Sequence, residues 1–321
     1  RNIDKAIKYY EEAAKLDNSS AQYNLGLLYY DGIYITQNIN KSIYYFQLAA
    51  NHNNLDAFYS LGIIYYTFFP QDIKKAILYL RYAANQNHSQ AQCVFGCMYY
   101  ESPYIEHDIN KAIHYLTLSA NQNNISALSF LGKIYLKDYL IPRDINKAIH
   151  FYSLAAKQNE IHALYTLGKI YIEGKYVETN IDKSIHYWKQ AEEQNHADSL
   201  YGLGTIYYIG LYVPRDICLS INYFTRAAEQ NHPIAQFALG FIYYRKGGSY
   251  SNAQMAIHYL TLAADKNFSE AQYYLGLIYI ENKIVNQDIN RSIYFFSRAA
   301  NLGNSSAQYY LGRMYYEGKN V

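Results

Sequence analysis

Two groups of residues have the chemistry to hold a transition metal: the histidines His114, His150, His186 and His258, and the pair Cys93 and Cys97. Imidazole and thiolate are the usual ligands of zinc, which gathers its donors at about 2.1 Å. The four histidines recur at one position of a repeating helix, so neighbouring ones stand about one helix-pair spacing apart, near 10 Å. That separation is too great for a shared ion, and the column reads as a solvated outer face. Cys93 and Cys97 share a helix face, but no histidine or third cysteine falls at a spacing that completes a tetrahedral site. They occupy columns held elsewhere by aromatic or aliphatic residues, which makes them small apolar filler. A phosphate loop, a nucleophile elbow and a His-Glu-x-x-His stretch are all absent, and the acidic residues form no evident partnered pair. The residues therefore predict no enzyme, no cofactor and no metal.

The chemistry in greater supply is that of tyrosine, with 41 residues in 321. One column is tyrosine throughout: Tyr29, Tyr65, Tyr99, Tyr135, Tyr171, Tyr207, Tyr243, Tyr279 and Tyr315. It reads as a packing column whose hydroxyls reach a loop or backbone acceptor. A second set lies on the other side of the same helices: Tyr23, Tyr30, Tyr59, Tyr66, Tyr201, Tyr208, Phe237, Phe241, Tyr244, Tyr309 and Tyr316, with Leu27, Ile63, Thr205 and Arg313 between them. Outward-facing aromatics combine large contact area with few rotors and a polar tip, so this set is the candidate partner-binding face. Ser129, Lys133, Leu136 and Lys169 interrupt it in the middle of the chain.

Composition narrows the partner. The net charge is +2, from 28 basic and 26 acidic residues, with no run of like charge and no basic residues interleaved with the aromatics. Nucleic acid is not expected. No stretch approaches the eighteen or more apolar residues of a membrane span. Three cysteines, unevenly placed, suit a reducing compartment, and the expected location is cytoplasmic.

The elements that carry these side chains are repeats. A Leu-Gly or Phe-Gly step recurs with glycines at Gly26, Gly62, Gly96, Gly132, Gly168, Gly204, Gly240, Gly276 and Gly312; seven of the eight intervals are 36 residues and the interval from Gly62 to Gly96 is 34. The shorter interval falls in the loop around Phe68, Phe69 and Pro70. Each unit reads as two amphipathic helices, one typified by residues 271–279 and one by residues 108–120. The second helix opens on an N-cap at Asn2, Asn38, Asp72, Asp108, Asp144, Asn180, Asp216, Asn252 and Asp288. It ends at Asp17, Asn53, Asn87, Asn123, Asn159, Asn195, Asn231, Asn267 and Gly303, residue types that tolerate a left-handed cap. A short loop then makes each pair an antiparallel hairpin. Small residues at the Leu-Gly step and at Ala-Ala pairs such as Ala49-Ala50 mark close helix approach. A lone hairpin cannot bury its apolar face, so the core must run from unit to unit.

The pattern Ala21, Leu25, Gly26, Tyr29 and Gly32, followed by Asn38, Lys41 and Ser42, resembles the Sel-one-like repeat family, relatives of tetratricopeptide repeats, over essentially the whole chain. Two departures are Asn in place of the usual glycine after the second helix, and loop glycines missing at Ser102, Asp138 and Asn282. The resemblance implies an all-α, right-handed α/α superhelical solenoid of about nine stacked hairpins whose first helices line a concave surface. It also implies scaffolds and adaptors that bind other proteins, as extended segments or helices, with no shared catalytic residue. One continuous array over residues 1–321 is expected, starting at a second helix, ending after a first, and cut from a longer chain. Two other readings stand beside the scaffold: a regulatory array attached to a catalytic domain such as a kinase, and sugar rings stacking on the exposed aromatics.

Overall fold

The computed structural model describes residues 2–137, 141–246, 250–281 and 285–318, and every strand-forming or helical element among them is a helix. In chain order these are α1 (Ile3–Lys15), α2 (Ser19–Asp31), α3 (Ile39–Asn51), α4 (Leu55–Phe68), α5 (Ile73–Asn85), α6 (Ser89–Glu101), α7 (Ile109–Ala120), α8 (Ile125–Lys137) and α9 (Ile145–Ala156). There follow α10 (Ile161–Glu173), α11 (Ile181–Glu193), α12 (Ala197–Ile209), α13 (Ile217–Glu229), α14 (Pro233–Lys246), α15 (Tyr250–Asp265), α16 (Ser269–Glu281), α17 (Ile289–Asn301) and α18 (Ser305–Glu317). The chain divides into two compact units, Arg1–Ala163 and Leu164–Val321. Hairpins α2/α3, α4/α5, α6/α7 and α8/α9 build the first. Hairpins α10/α11, α12/α13, α14/α15 and α16/α17 build the second.

Each hairpin closes around its glycine. A Cβ on Gly26 would stand 2.5 Å from the ring of Phe46, and one on Gly276 would stand 2.6 Å from the ring of Phe296. The missing side chain lets a large apolar residue of the second helix lie flat against the backbone of the first. Phe46 and Phe296 are fully buried there, which is worth about 1.5–3 kcal/mol each relative to exposure. Alanines and leucines such as Ala49, Leu61, Leu80 and Ala83 continue the core of the first unit; Ala227, Leu239, Leu260 and Leu275 do so in the second.

Turns of fixed geometry space the helices. Asp17, Asn53, Asn87, Asn123, Asn159, Asn195, Asn231 and Asn267 all adopt φ between 57° and 65°, and Gly303 adopts 82°. Left-handed backbone is the conformation asparagine enters at least cost after glycine. Inside six of the eight hairpins the tyrosine column closes the loop through its carbonyl: the Asn38 N–H donates to Tyr29 O at 2.9 Å, and the Asp108 N–H to Tyr99 O at 3.0 Å. A side chain one residue earlier adds a second clasp. Gln37 Nε2 donates to Tyr30 O at 2.7 Å and Arg215 Nε to Tyr208 O at 2.9 Å.

Two expected N-caps differ. Asn2, Asn38, Asp108, Asp144, Asn180, Asp216 and Asp288 each accept from the backbone N–H three residues on. Asp72 makes no such bond, because the shortened loop winds Pro70–Asp72 into a 3-10 turn and leaves Asp72 at φ −103°, ψ 26° instead of extended. Its carboxylate pairs with Lys75 Nζ at 3.1 Å instead. Asn252 lies inside the first turn of α15, which begins two residues earlier at Tyr250, so the cap position has moved upstream. The missing loop glycines at Asp138 and Asn282 lie outside the described residues; at Ser102 the backbone is extended and the hydroxyl accepts from the Tyr104 N–H at 3.3 Å.

Candidate functional site

The tyrosine column is half-buried in most units, and its packing role takes a different form from the one expected. Each ring from Tyr29 to Tyr279 lies parallel to an aromatic ring of the second helix: Tyr29 on Tyr45 at 5.8 Å and 3°, Tyr135 on Phe151 at 5.8 Å and 9°, Tyr279 on Phe295 at 5.9 Å and 3°. A cation of the same helix covers the ring, as with Lys41 at 4.8 Å from Tyr29, Lys183 at 4.8 Å from Tyr171 and Arg291 at 5.4 Å from Tyr279. The hydroxyl thus faces a cation: Lys41 Nζ donates to Tyr29 Oη at 3.5 Å and Arg291 to Tyr279 Oη at 3.3 Å. Exposed cation–π pairs of this kind contribute about 0.5–1 kcal/mol. Units with Leu219 and Met255 at the cation's position lack it.

The candidate partner-binding residues fall on the first helices and fare unequally. In the first unit, Tyr23, Tyr30 and Tyr59 converge with Leu27 and Ile63 around a hollow of about 290 Å³ between α2 and α4, with Phe46 and Ile64 at its floor and Asp31 and Ser60 as its polar groups. Burial raises the Tyr23 phenol above its ordinary value, against a smaller opposing effect of a hydrogen bond with Ser60, and burial raises that of Tyr59 as well. Both phenols therefore stay protonated donors in neutral water. Tyr30 meets Phe68 edge-on at 6.2 Å, and Tyr66 meets Tyr104 at 6.1 Å.

In the second unit, Phe237, Phe241 and Tyr244 pack around Tyr274 at 5.8, 5.2 and 5.5 Å. The Tyr244 phenol is raised by burial and by the Glu281 carboxylate, to which its hydroxyl donates at 3.1 Å. Tyr201 stacks on His232 at 5.0 Å and meets Phe224 at a 34° tilt at 5.7 Å. Tyr208 meets the same Phe224 ring at 6.5 Å and lies under Arg215 at 5.4 Å. Tyr309 and Tyr316 on α18 are 67% and 93% exposed. Of the residues that interrupt the aromatics in the sequence, Ser129 donates to Glu160 at 2.6 Å, Lys133 pairs with Glu101 at 3.9 Å, Lys169 pairs with Glu173 at 3.6 Å, and Leu136 is buried.

Sequence reasoning missed three contributors. Tyr274 sits one residue off the expected register; its signal was a second tyrosine, after Tyr273, where Asn24, Ser60, Thr166, Gly202 and Ala238 stand in other units. Gln22, Gln92, Gln236 and Gln272 reach back eight residues to carbonyls of the preceding second helix, for example Gln272 Nε2 to Ala264 O at 3.0 Å; recurring Ala-Gln pairs announced them. His88, His196 and His232 cap first helices through Nδ1, accepting from Ala91, Ser199 and Ala235 at 3.1, 3.3 and 3.1 Å. Their Nε2 edges face carboxylates, Asp56 at 3.0 Å for His88 and Asp198 at 3.3 Å for His232. Tyr59 and Tyr201 lie against two of these capping rings, so the caps help set the face.

His114, His150, His186 and His258 are exposed on the second helices. Cys93 is buried and Cys97 half-exposed on α6, hydrogen-bonded to each other. That bond lowers the Cys93 thiol and, with burial, raises that of Cys97. Among the described residues no three His, Cys, Asp or Glu side chains converge on a point where an ion would sit, and no helix is long and apolar enough to cross a membrane.

Antiparallel helical hairpins in register, each closed on a glycine and ended by a left-handed asparagine, define an α/α repeat array. The Sel1 repeat matches residues 1–18, 19–54, 58–88, 89–124, 125–160, 161–196, 197–232, 233–268, 269–304 and 305–321, and the chain belongs to that family. The first and last of these ten segments each hold one helix, α1 and α18, outside the eight complete hairpins. Among solved structures the chain is similar to c5321, a protective antigen of uropathogenic Escherichia coli strains displaying an SLR fold: 28% identity, TM-score 0.89, 97% of this chain and 67% of that one. It is also similar in fold to a Sel1 repeat protein from Oxalobacter formigenes, at 24% identity and TM-score 0.71 over 96% of this chain and 89% of that one. A comparison with curated proteins finds no match. Sel1 repeat proteins are generally protein-interaction scaffolds and not catalysts.

Proposed function

We propose that this array is a passive scaffold whose first-helix face holds segments of other proteins, extended or helical. The observation that carries the reading is the hollow between α2 and α4, where Tyr23, Tyr30, Tyr59, Leu27 and Ile63 offer apolar walls beside protonated phenols and the Asp31 carboxylate. An inserted aliphatic or aromatic side chain would lose water on all sides and find a hydroxyl donor at the rim, the arrangement that concentrates binding energy in protein interfaces. Rigid helices limit the ordering cost on this side, so modest contacts accumulate along the array. In the second unit the cluster of Phe237, Phe241 and Tyr244 supports the same role, while Tyr309 and Tyr316 supply exposed aromatic surface on α18. The cytoplasm remains the proposed compartment.

Site-specific photo-crosslinking tests the face. A crosslinking residue at Ile63 or Tyr30 should trap a partner that a crosslinker at the outward-facing His114 does not. Trapping from His114 alone would move binding to the second helices and overturn the reading.

A further inference from the structure

Cys93 and Cys97 bring two strong metal ligands to the same helix, α6, outside the aromatic residues of the proposed docking face. Four residues apart on α6, they lie on one face of the helix. Cys93 is buried, and Cys97 is partly exposed and so nearer to solvent.

A disulfide does not suit them. Helical residues four apart hold their Cβ atoms about 5–6 Å from one another, whereas a disulfide needs about 3.5–4.5 Å. An intact α6 therefore keeps the two sulfurs from bonding directly. The same spacing accommodates an ion between them, since metal–sulfur bonds of about 2.3 Å on each side allow the sulfurs to stand as much as about 4.6 Å apart. Zinc would need two further protein ligands, and no third His, Cys, Asp or Glu joins the pair among the described residues. A closed-shell monovalent ion has no such need: two thiolates in line satisfy it, and soft sulfur ligands select Cu(I).

We propose that Cys93 and Cys97 form a two-thiolate site for a soft monovalent cation of the Cu(I) type. Binding releases both thiol protons to solvent and leaves a complex with one net negative charge. The Lys133 ammonium acts favourably on that charge from α8, and Glu101 on α6 opposes it. The zinc objection raised by the spacing of the cysteines stands; the two-coordinate ion avoids it.

The test uses the reduced chain without oxygen, titrated into the Cu(I) complex of bicinchoninate, whose colour reports copper not yet withdrawn. The native chain should remove one equivalent, and Cys218→Ser, altering the exposed third cysteine, should do the same. Cys93→Ser and Cys97→Ser, each checked for helix content, should bind at least about tenfold more weakly. Alkylation of the native chain followed by mass measurement locates the site without any variant: Cu(I) should protect Cys93 and Cys97 and leave Cys218 reactive. No withdrawal by the native chain, full withdrawal by Cys97→Ser, or protection of Cys218 alone would overturn the proposal.

Discussion

Whether two helices of a hairpin can meet depends on a single missing methyl group. Gly276 and Gly312 occupy the same position of their helices, yet a Cβ on Gly276 would strike Phe296 at 2.6 Å while one on Gly312 would meet nothing within 4 Å. In an open helix, glycine to alanine stabilises by about 0.5–1 kcal/mol; forcing a methyl into a packed core costs about 1–3 kcal/mol. Gly312→Ala should therefore raise the melting temperature and Gly276→Ala should lower it, and equal shifts would contradict the packing described. The phenols make a second prediction at this scale. Burial and the Glu192 carboxylate push Tyr223 up to about 12, above the value near 10 of an exposed phenol. A group raised on folding lends its full stability below the unfolded value and loses it as pH climbs to the folded one. Melting temperature should thus hold up to about pH 10 and fall between about pH 10 and 12, with a smaller fall in Tyr223→Phe.

Helix ends decide the length of each element. Asn38 spares α3 one orphan N–H, accepting from Lys41 at 3.0 Å, so Asn38→Ala should cost about 1 kcal/mol. Asn53 stands at φ 59°, where a Cβ-bearing residue without a compensating amide pays about 1–2 kcal/mol. Asn53→Gly should be nearly neutral and Asn53→Val clearly destabilising in urea titration. Equal midpoints for the two would remove the left-handed turn from the account. The positions of these caps were legible in the residues, because an N-cap and a left-handed turn depend only on a few neighbours. Asp72 escaped that reading because the 3-10 turn Pro70–Asp72 takes it out of extended backbone, and Asn252 because α15 begins two residues before it.

At the scale of the molecule, each unit is a row of hairpins that touch only their neighbours, with stability close to a sum of local terms. Leu61→Ala, at a fully buried site in the first unit, should cost about 2–5 kcal/mol. Amide exchange should quicken most in α3, α4 and α5, and much less in α8 of the same unit. Uniform acceleration across that unit would mean all-or-none unfolding instead.

Periodicity, caps and the glycine spacing determined, from the residues alone, that the chain folds as helical hairpins and on which first helices the aromatics cluster. They act over one or two turns of backbone, so no distant partner is needed to read them. Tertiary structure alone decided which of those aromatics converge. Tyr23, Tyr30 and Tyr59 share one hollow, Phe237, Phe241 and Tyr244 close upon Tyr274, and Tyr201 is spent on the capping His232. These contacts join residues some 30 or more positions apart, and their geometry depends on how one hairpin packs against the next, which no local pattern specifies.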